Sequence, residues 1–187
     1  KKYFAQDLLN EMLDAAGEAV SLRDDQVFFH HLIVQRKMIP LPVFLEHASP
    51  EDCERAVISL GYCIKNNAAG NIFNRDLDGR NYGVGSHTRV YLFDYDALEA
   101  FTEVKIRSNS ERDDGEEDIP DWYFEDGVIF LPEEIEWGLR ISDPKLRSLF
   151  RMKHGDLTRV DYWERIQEEL REGMVPQIQV YPDSCRL

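Results

Sequence analysis

The sequence predicts an α+β fold, with a few strands near the start, one hairpin in the middle and helices dominating the C-terminal two thirds. Two patterns carry this prediction. Apolar side chains recur at helical spacing in five segments, whereas shorter apolar stretches between them are β-like. A chain of 187 residues with 43% hydrophobic side chains can also bury one ordinary core.

The N-terminal part is predicted to hold one helix and two strands. Apolar residues at helical spacing run from Phe4 to Ala16, and Gly17 offers a C-terminal stop. Residues 18–22 and 26–34 are then β-like.

A longer helix is predicted to begin at Ser49, because a capping side chain there precedes a proline in the first turn, and to end near Gly70. Its inward-facing residues are Ala56, Val57, Leu60, Ile64 and Ala68. After a polar loop, a hairpin is predicted with strands at residues 82–84 and 89–93. Three further helices are predicted at 132–139, 143–153 and 161–172.

The charge of the chain argues against two classes of partner. Its 36 acidic and 22 basic residues leave a formal net charge of −14, so we expect no nucleic acid and no anionic membrane as partner. No apolar stretch reaches the roughly 18 residues that span a bilayer, and no secretory leader is visible. The three cysteines lack C-x-x-C spacing and are expected to be free thiols in a reducing cytosol. The sequence therefore predicts a cytoplasmic protein.

The acidic residues concentrate in one segment, 111–126, which holds nine acids and one base. Residues 108–118 lack large apolar side chains, so they are expected to form a mobile surface loop. Two interpretations stay open for this acidic loop, 108–126: a solvated surface, or a docking segment for a basic partner.

One stretch carries the chemistry: Asn74-Arg75-Asp76-Leu77-Asp78-Gly79-Arg80-Asn81, with Asp94-Tyr95-Asp96 beginning thirteen residues after Asn81. Protein kinases use H-R-D-L-x-x-x-N as a catalytic loop and D-F-G as a metal anchor. Here Asn74 replaces the histidine, and the aspartate and the asparagine of the loop are kept. Turn chemistry alone explains each piece taken singly. The combination, with a helix before it and a hairpin between its halves, favours a protein-kinase-like, mostly helical lobe.

Phosphoryl transfer gives the spacing a physical reason, because it needs positioned charge around a loose transition state. Asp76 can accept the proton of a substrate hydroxyl. Asn81 and Asp94 offer the hard oxygen ligands that magnesium prefers. Arg80 adds a cation beside the developing charge.

Several segments, in order along nearly the whole chain, resemble the isocitrate dehydrogenase kinase/phosphatase family. These segments are residues 35–41, 68–73, 81–84, 93–96, 131–134, 152–157 and 161–163. The run Ala68-Ala69-Gly70-Asn71-Ile72-Phe73 and the Asp94-Tyr95-Asp96 motif are distinctive for that family. The resemblance implies a bacterial, bifunctional enzyme that phosphorylates a serine of NADP-dependent isocitrate dehydrogenase and removes the same phosphate. It also implies ATP, ADP and Mg²⁺ (or Mn²⁺) in one shared site.

The resemblance implies roles for individual residues. Asp76 matches the catalytic aspartate, and Arg80 stands where the family usually has a lysine. Asn81 and Asp94 match metal ligands, and Asp96 is a nearby acid of the metal site tied to the balance of the two activities. The residues that match the adenine-binding hinge are Gln35, Arg36, Lys37 and Met38.

The resemblance further implies that residues 1–38 are a remnant of the small lobe and the hinge, and that residues 39–187 are the large lobe. No glycine-rich phosphate loop and no V-A-I-K-like lysine is recognisable before the hinge. Two functions therefore stay open. The chain is either the catalytic lobe of a kinase/phosphatase, inactive when isolated, or a non-catalytic, pseudokinase-like module that binds a protein.

Other conspicuous residues are expected to be structural. His30, His31 and His154 are expected to be buried or packed rather than metal ligands. The tryptophans Trp122, Trp137 and Trp163 are expected to anchor the core. Residues 131–134 fit a helix start and a kinase A-P-E motif equally well.

Overall fold

The computed structural model describes residues 3–31, 37–109, 126–174 and 176. Within these ranges the chain forms six α-helices and nine short strands, which confirms the α+β class. The chain divides into two compact units, Lys1–Lys37 and Met38–Leu187. The interpretation of these units as parts of two kinase lobes stays a prediction.

The N-terminal unit contains one helix and one hairpin. Helix α1 spans Gln6–Ala15, and strands β1 (Val20–Arg23) and β2 (Gln26–Phe29) pair antiparallel. The second strand ends at Phe29, whereas the sequence predicted a β-like segment over residues 26–34. His30 and His31 follow it in bends and are exposed, so the expectation that they are buried is wrong.

The second unit contains the remaining elements. Its helices are α2 (Leu41–His47), α3 (Pro50–Ala69), α4 (Ile135–Gly138), α5 (Pro144–His154) and α6 (Val160–Arg171). Its strands are β3 (Ile39–Pro40), β4 (Ile72–Asn74), β5 (Tyr82–Val84), β6 (Val90–Leu92), β7 (Leu98–Ala100), β8 (Lys105–Ile106) and β9 (Ile129–Phe130). Antiparallel pairing joins β3, β5 and β6 into one sheet and β4 with β7 into another, whereas β8 and β9 pair in parallel. The helix α2 and the strands β3, β7, β8 and β9 were not predicted from the sequence.

Helix α3 runs through the core of the second unit, as its sequence predicts. Ser49 caps it, since the Oγ atom accepts a hydrogen bond from the backbone N–H of Asp52 at 3.2 Å. All five apolar residues predicted to face inward are buried. Their neighbours in the core come from the hairpin β5–β6 and from α5 and α6.

Helices α3 and α5 approach closely where Gly61 meets His154. The imidazole of His154 is 1% exposed, and its Nε2 atom lies 2.9 Å from the carbonyl oxygen of Ile58. A carbonyl can only accept, so Nε2 carries the proton. A Cβ atom on Gly61 would lie 2.2 Å from the ring of His154, so only glycine permits this contact. The structural role predicted for His154 is confirmed.

The two described tryptophans differ in burial. Trp163 is 1% exposed, and its rings contact Phe101 and Phe130, which confirms its role in the core. Trp137 is 82% exposed, so the same prediction for it is wrong. The reason is that α4 is a single turn that turns Ile135 inward and leaves Trp137 outside. Trp122 lies outside the described residues.

Two further predictions concern the segment around residue 131 and the acidic loop. Pro132–Glu134 forms a 3₁₀ turn that leads directly into α4, which is the helix start that the sequence allows. Most of the acidic loop, residues 110–125, lies outside the described residues. Among the helices that are described, none has the length and apolar character to cross a membrane.

We predict that Gly61→Ala destabilises the protein by about 1–3 kcal/mol, because the added methyl group overpacks a site whose neighbouring ring is fully buried. The matched control is Gly155→Ala, since a Cβ atom there meets nothing within 4 Å. Urea unfolding of both variants measures the difference. Equal stability of the two variants would contradict the close approach of α3 and α5.

We also predict that His154 makes stability depend on pH. Burial lowers the pKa of His154 to about 4, whereas an unfolded histidine titrates near 6.5. Between about pH 6.5 and about pH 4 the unfolded chain therefore binds more protons at this residue than the folded chain. About 2–3 kcal/mol of the free energy of unfolding is lost as pH falls through that range. Ring signals followed by NMR and unfolding curves across pH 4–7 test this. The control is His87→Gln, at an exposed histidine. This variant is expected to show the same dependence of unfolding free energy on pH as the unsubstituted chain.

Candidate functional site

The predicted catalytic loop begins at the end of β4, on a buried asparagine. Asn74 is 5% exposed and pairs with Leu98 of β7. Its Oδ1 atom accepts a hydrogen bond from the backbone N–H of Asp76 at 3.1 Å. Asn74 therefore holds the start of the loop from inside the core, and the next side chains, Arg75 and Asp76, are exposed.

The side chains of two aspartates, Asp76 and Asp78, then stabilise the turn of the loop by hydrogen bonds to its backbone. The carboxylate of Asp76 accepts the N–H of Asp78 at 3.3 Å, and the carboxylate of Asp78 accepts the N–H of Arg80 at 2.8 Å. Short side chains of this kind replace main-chain partners in turns. The turn itself spans Gly79–Asn81.

Asn81 closes the loop onto Asp76. The Nδ2 atom of Asn81 donates a hydrogen bond to the carbonyl oxygen of Asp76 at 3.0 Å. Because a carbonyl only accepts, the amide oxygen Oδ1 must point away from that contact. The loop thus fixes the Asn81 side chain and leaves its Oδ1 atom out of this contact.

The hairpin β5–β6 brings Asp94 to the same place. Tyr82 pairs with Leu92, and the N–H of Phe93 donates to the carbonyl oxygen of Asn81 at 3.1 Å. Asp94 is therefore the next residue after the one hydrogen-bonded to Asn81. The Oδ1 atom of Asp94 accepts the N–H of Asp96 at 3.2 Å, so both acids lie in one turn at the end of the hairpin.

Arg80 is held by a partner that the sequence did not single out. Its Nε and Nη2 atoms lie 3.0 and 2.9 Å from the two carboxylate oxygens of Asp78. Arg140, which follows α4, places its Nε atom 3.2 Å from the same carboxylate. The hydrogen bond from Arg80 lowers the pKa of Asp78 below its usual range, although burial opposes that shift. Arg80 therefore belongs to an ion-pair cluster instead of projecting alone.

Gly79 is required by a close backbone contact next to this cluster. A Cβ atom at this position would lie 2.4 Å from the carbonyl oxygen of Leu139, so the loop backbone touches the backbone after α4. The Asp78-Gly79 pair is typical of a turn, and that signal was available in the sequence. Arg140 gives no local signal, because its partner is 62 positions earlier in the chain.

A pocket of about 370 Å³ lies beside the loop. Its walls are the loop residues 75–78 and the segment from Ile129 to Arg140, and the exposed Trp137 is part of its lining. The predicted base, Asp76, thus faces a concave surface large enough for a peptide side chain.

The donor set at this site fits a hard divalent cation. Asn81 offers an amide oxygen, Asp94 has one carboxylate oxygen beyond the Asp96 contact, and Asp96 is exposed. Magnesium is commonly held by one or two carboxylates together with other oxygen ligands. No trio of His, Cys, Asp or Glu side chains forms a metal-binding group in the described ranges. The predicted set differs from such a trio, since one of its three members is an amide.

The residues predicted to bind adenine are only partly described. Lys37 is exposed and Met38 is partly exposed, whereas Gln35 and Arg36 lie outside the described residues. Their role in nucleotide binding stays a prediction, as do the roles of Asp76, Arg80, Asn81, Asp94 and Asp96.

Comparison with known proteins gives a consistent result. Residues 1–183 match the isocitrate dehydrogenase kinase/phosphatase (AceK) kinase domain. Over 184 residues the chain is 53% identical to the isocitrate dehydrogenase kinase/phosphatase of Rhodopseudomonas palustris strain BisB5 and 50% identical to that of strain HaA2. Each match covers 98% of this chain and 29% of the relative, so the chain spans less than a third of the length of these relatives.

Proposed function

The chain belongs to the isocitrate dehydrogenase kinase/phosphatase family, and we propose that it carries the phosphoryl-transfer residues of such an enzyme. The proposed reactions are phosphorylation of a serine of isocitrate dehydrogenase and removal of the same phosphate, with ATP, ADP and Mg²⁺. The observation that supports this most is the pair of hydrogen bonds made by Asn81. One reaches Asp76 and the other reaches Phe93, the neighbour of Asp94.

Each residue has a role that suits a kinase-like large lobe. Asp76 accepts the proton of the serine hydroxyl, since its carboxylate is exposed at the pocket. Asn81, Asp94 and Asp96 would hold a magnesium ion, which would supply positive charge for the phosphate oxygens. Arg80 stabilises the charge that develops on the transferred group. Adenine is proposed to bind at residues 35–38, following the resemblance.

The non-catalytic alternative has less support. A module that only binds a protein needs neither an exposed aspartate in a fixed turn nor an asparagine side chain held by that turn. In the loop that holds Asp76 and Asn81, six hydrogen bonds are made by the side chains of Asn74, Asp76, Asp78 and Asn81. Such fixed polar geometry is expected where charge must be positioned for catalysis.

We predict that Asp76→Asn lowers phosphorylation of isocitrate dehydrogenase by about 10²–10⁴-fold in a full-length family member carrying this segment, because the general base is lost. Transfer of radiolabelled phosphate from ATP measures the rate. Asp161→Asn is the control, since Asp161 is an exposed acid on α6. A rate within a factor of two of the unsubstituted enzyme would show that Asp76 is not the base.

The same assay applied to the 187-residue chain alone is expected to give a negligible rate. The chain covers 29% of the length of its relatives, and catalysis by positioned charge is lost when part of the charged machinery is missing. Multiple turnovers by the isolated chain would contradict this expectation.

A further inference from the structure

A buried carboxylate lies at the centre of the candidate site and has no role in the reaction proposed above. The side chain of Asp78 is 5% exposed, whereas its partners Arg80 and Arg140 are each 68% exposed. A carboxylate removed from water in this way must be matched by cations or donors. Asp78 is matched by two arginines. Arg80 follows it in the same loop, whereas Arg140 lies 62 positions later in the chain.

The contact between Asp78 and Arg80 fixes a guanidinium group in two ways. Nε and Nη2 of Arg80 span the two carboxylate oxygens at 3.0 and 2.9 Å, and the backbone N–H of Arg80 binds Oδ1 at 2.8 Å. Side chain and backbone of one residue are thus bound to the same carboxylate. A fork of this kind restricts orientation as well as distance, which the single nitrogen of a lysine cannot do.

The carboxylate that holds this guanidinium belongs to the residue whose backbone N–H donates to the carboxylate of Asp76 at 3.3 Å. Asp76 and Asp78 also line the same pocket. Arg140 contacts the second oxygen of Asp78 at 3.2 Å and so joins the loop to the end of α4. Asp78 is therefore bound from both sides and has little freedom to turn away.

Building on the proposed phosphoryl transfer, we propose that Asp78 is a positioning residue that holds the Arg80 guanidinium beside Asp76, so that the phosphoryl group meets this cation in one orientation. A cation placed before the reaction stabilises developing charge without reorganisation during the step. A freely rotating arginine at 68% exposure would lose that advantage. In this proposal Asp78 acts on the phosphoryl group only through Arg80.

The chain offers a matched control. Arg159 and Asp161 form the same two-residue fork, with Nε of Arg159 3.0 Å from Oδ1 of Asp161. The carboxylate of this second pair is 66% exposed, in contrast to the 5% of Asp78. Removing the charge of Asp161 changes an equivalent contact far along the sequence from the loop.

The first test is a kinetic double-mutant cycle in a full-length family member carrying this segment. The variants are Asp78→Asn, Arg80→Ala, the double variant and the control Asp161→Asn. Asparagine keeps an oxygen for the N–H of Arg80 and removes the charge. We expect Asp78→Asn to lower kcat about tenfold or more with little change in KM for isocitrate dehydrogenase, and to change the rate less than twofold when Arg80 is already alanine. Asp161→Asn is expected to have no effect.

Two kinetic results would overturn the proposal. An equal loss from Asp78→Asn in both backgrounds would show that Asp78 acts on the loop fold and not through Arg80. An unchanged kcat for Asp78→Asn would show that the orientation of Arg80 does not matter.

The second test is independent of activity and uses the 187-residue chain. The Nε–H proton of Arg80, followed by NMR, is expected to exchange with water slowly in the unsubstituted chain and at least tenfold faster in Asp78→Asn. Equal exchange rates in the two chains would overturn the positioning role. If the unsubstituted full-length enzyme transfers no phosphate, the proposed function fails, and this NMR comparison still decides whether Asp78 fixes Arg80.

Discussion

The site depends on one strand pairing, that of Tyr82 with Leu92 in the hairpin β5–β6. This register sets the hydrogen bond between Asn81 and Phe93, and therefore which residue follows at the end of the hairpin. A slip of one residue would turn every side chain of the strand to the other face and move Asp94 away from Asn81. Burial fixes the register, since Tyr82 and Leu92 are 1% and 7% exposed.

The hairpin is in turn anchored to helix α3. The N–H of Val90 donates to the hydroxyl oxygen of Ser59 at 2.9 Å, two residues before the glycine that admits the ring of His154. The position of the hairpin thus follows from the packing of α3, and the position of Asp94 follows from the hairpin. The predicted catalytic loop is positioned separately, through Asn74 at the end of β4.

The sequence predicted what depends on local patterns and missed what depends on distant partners. Helices α3, α5 and α6 and the hairpin were predicted because periodicity and capping residues are local signals. The order of Asp76, Asn81 and Asp94 predicts a common site by analogy with a motif, and the hydrogen bonds of Asn81 to Asp76 and to Phe93 link the segments that carry them. The contacts of Arg140 and Gly79 could not be predicted, because each depends on a partner about 60 residues away in sequence. Trp137 was misassigned since a one-turn helix has too few residues to define a buried face.

The most direct test of the account is to locate a divalent cation on the chain. Mn²⁺ can replace Mg²⁺ and broadens NMR signals of nearby nuclei, so it reports even weak binding. We expect the side-chain amide of Asn81 and the backbone signals of Asp94 and Asp96 to broaden at low Mn²⁺, and to recover when Mg²⁺ is added in excess. If the signals of Asn81, Asp94 and Asp96 stay sharp while only those of other acidic residues broaden, these three residues do not form the metal site of a phosphoryl-transfer centre, and the proposal is contradicted.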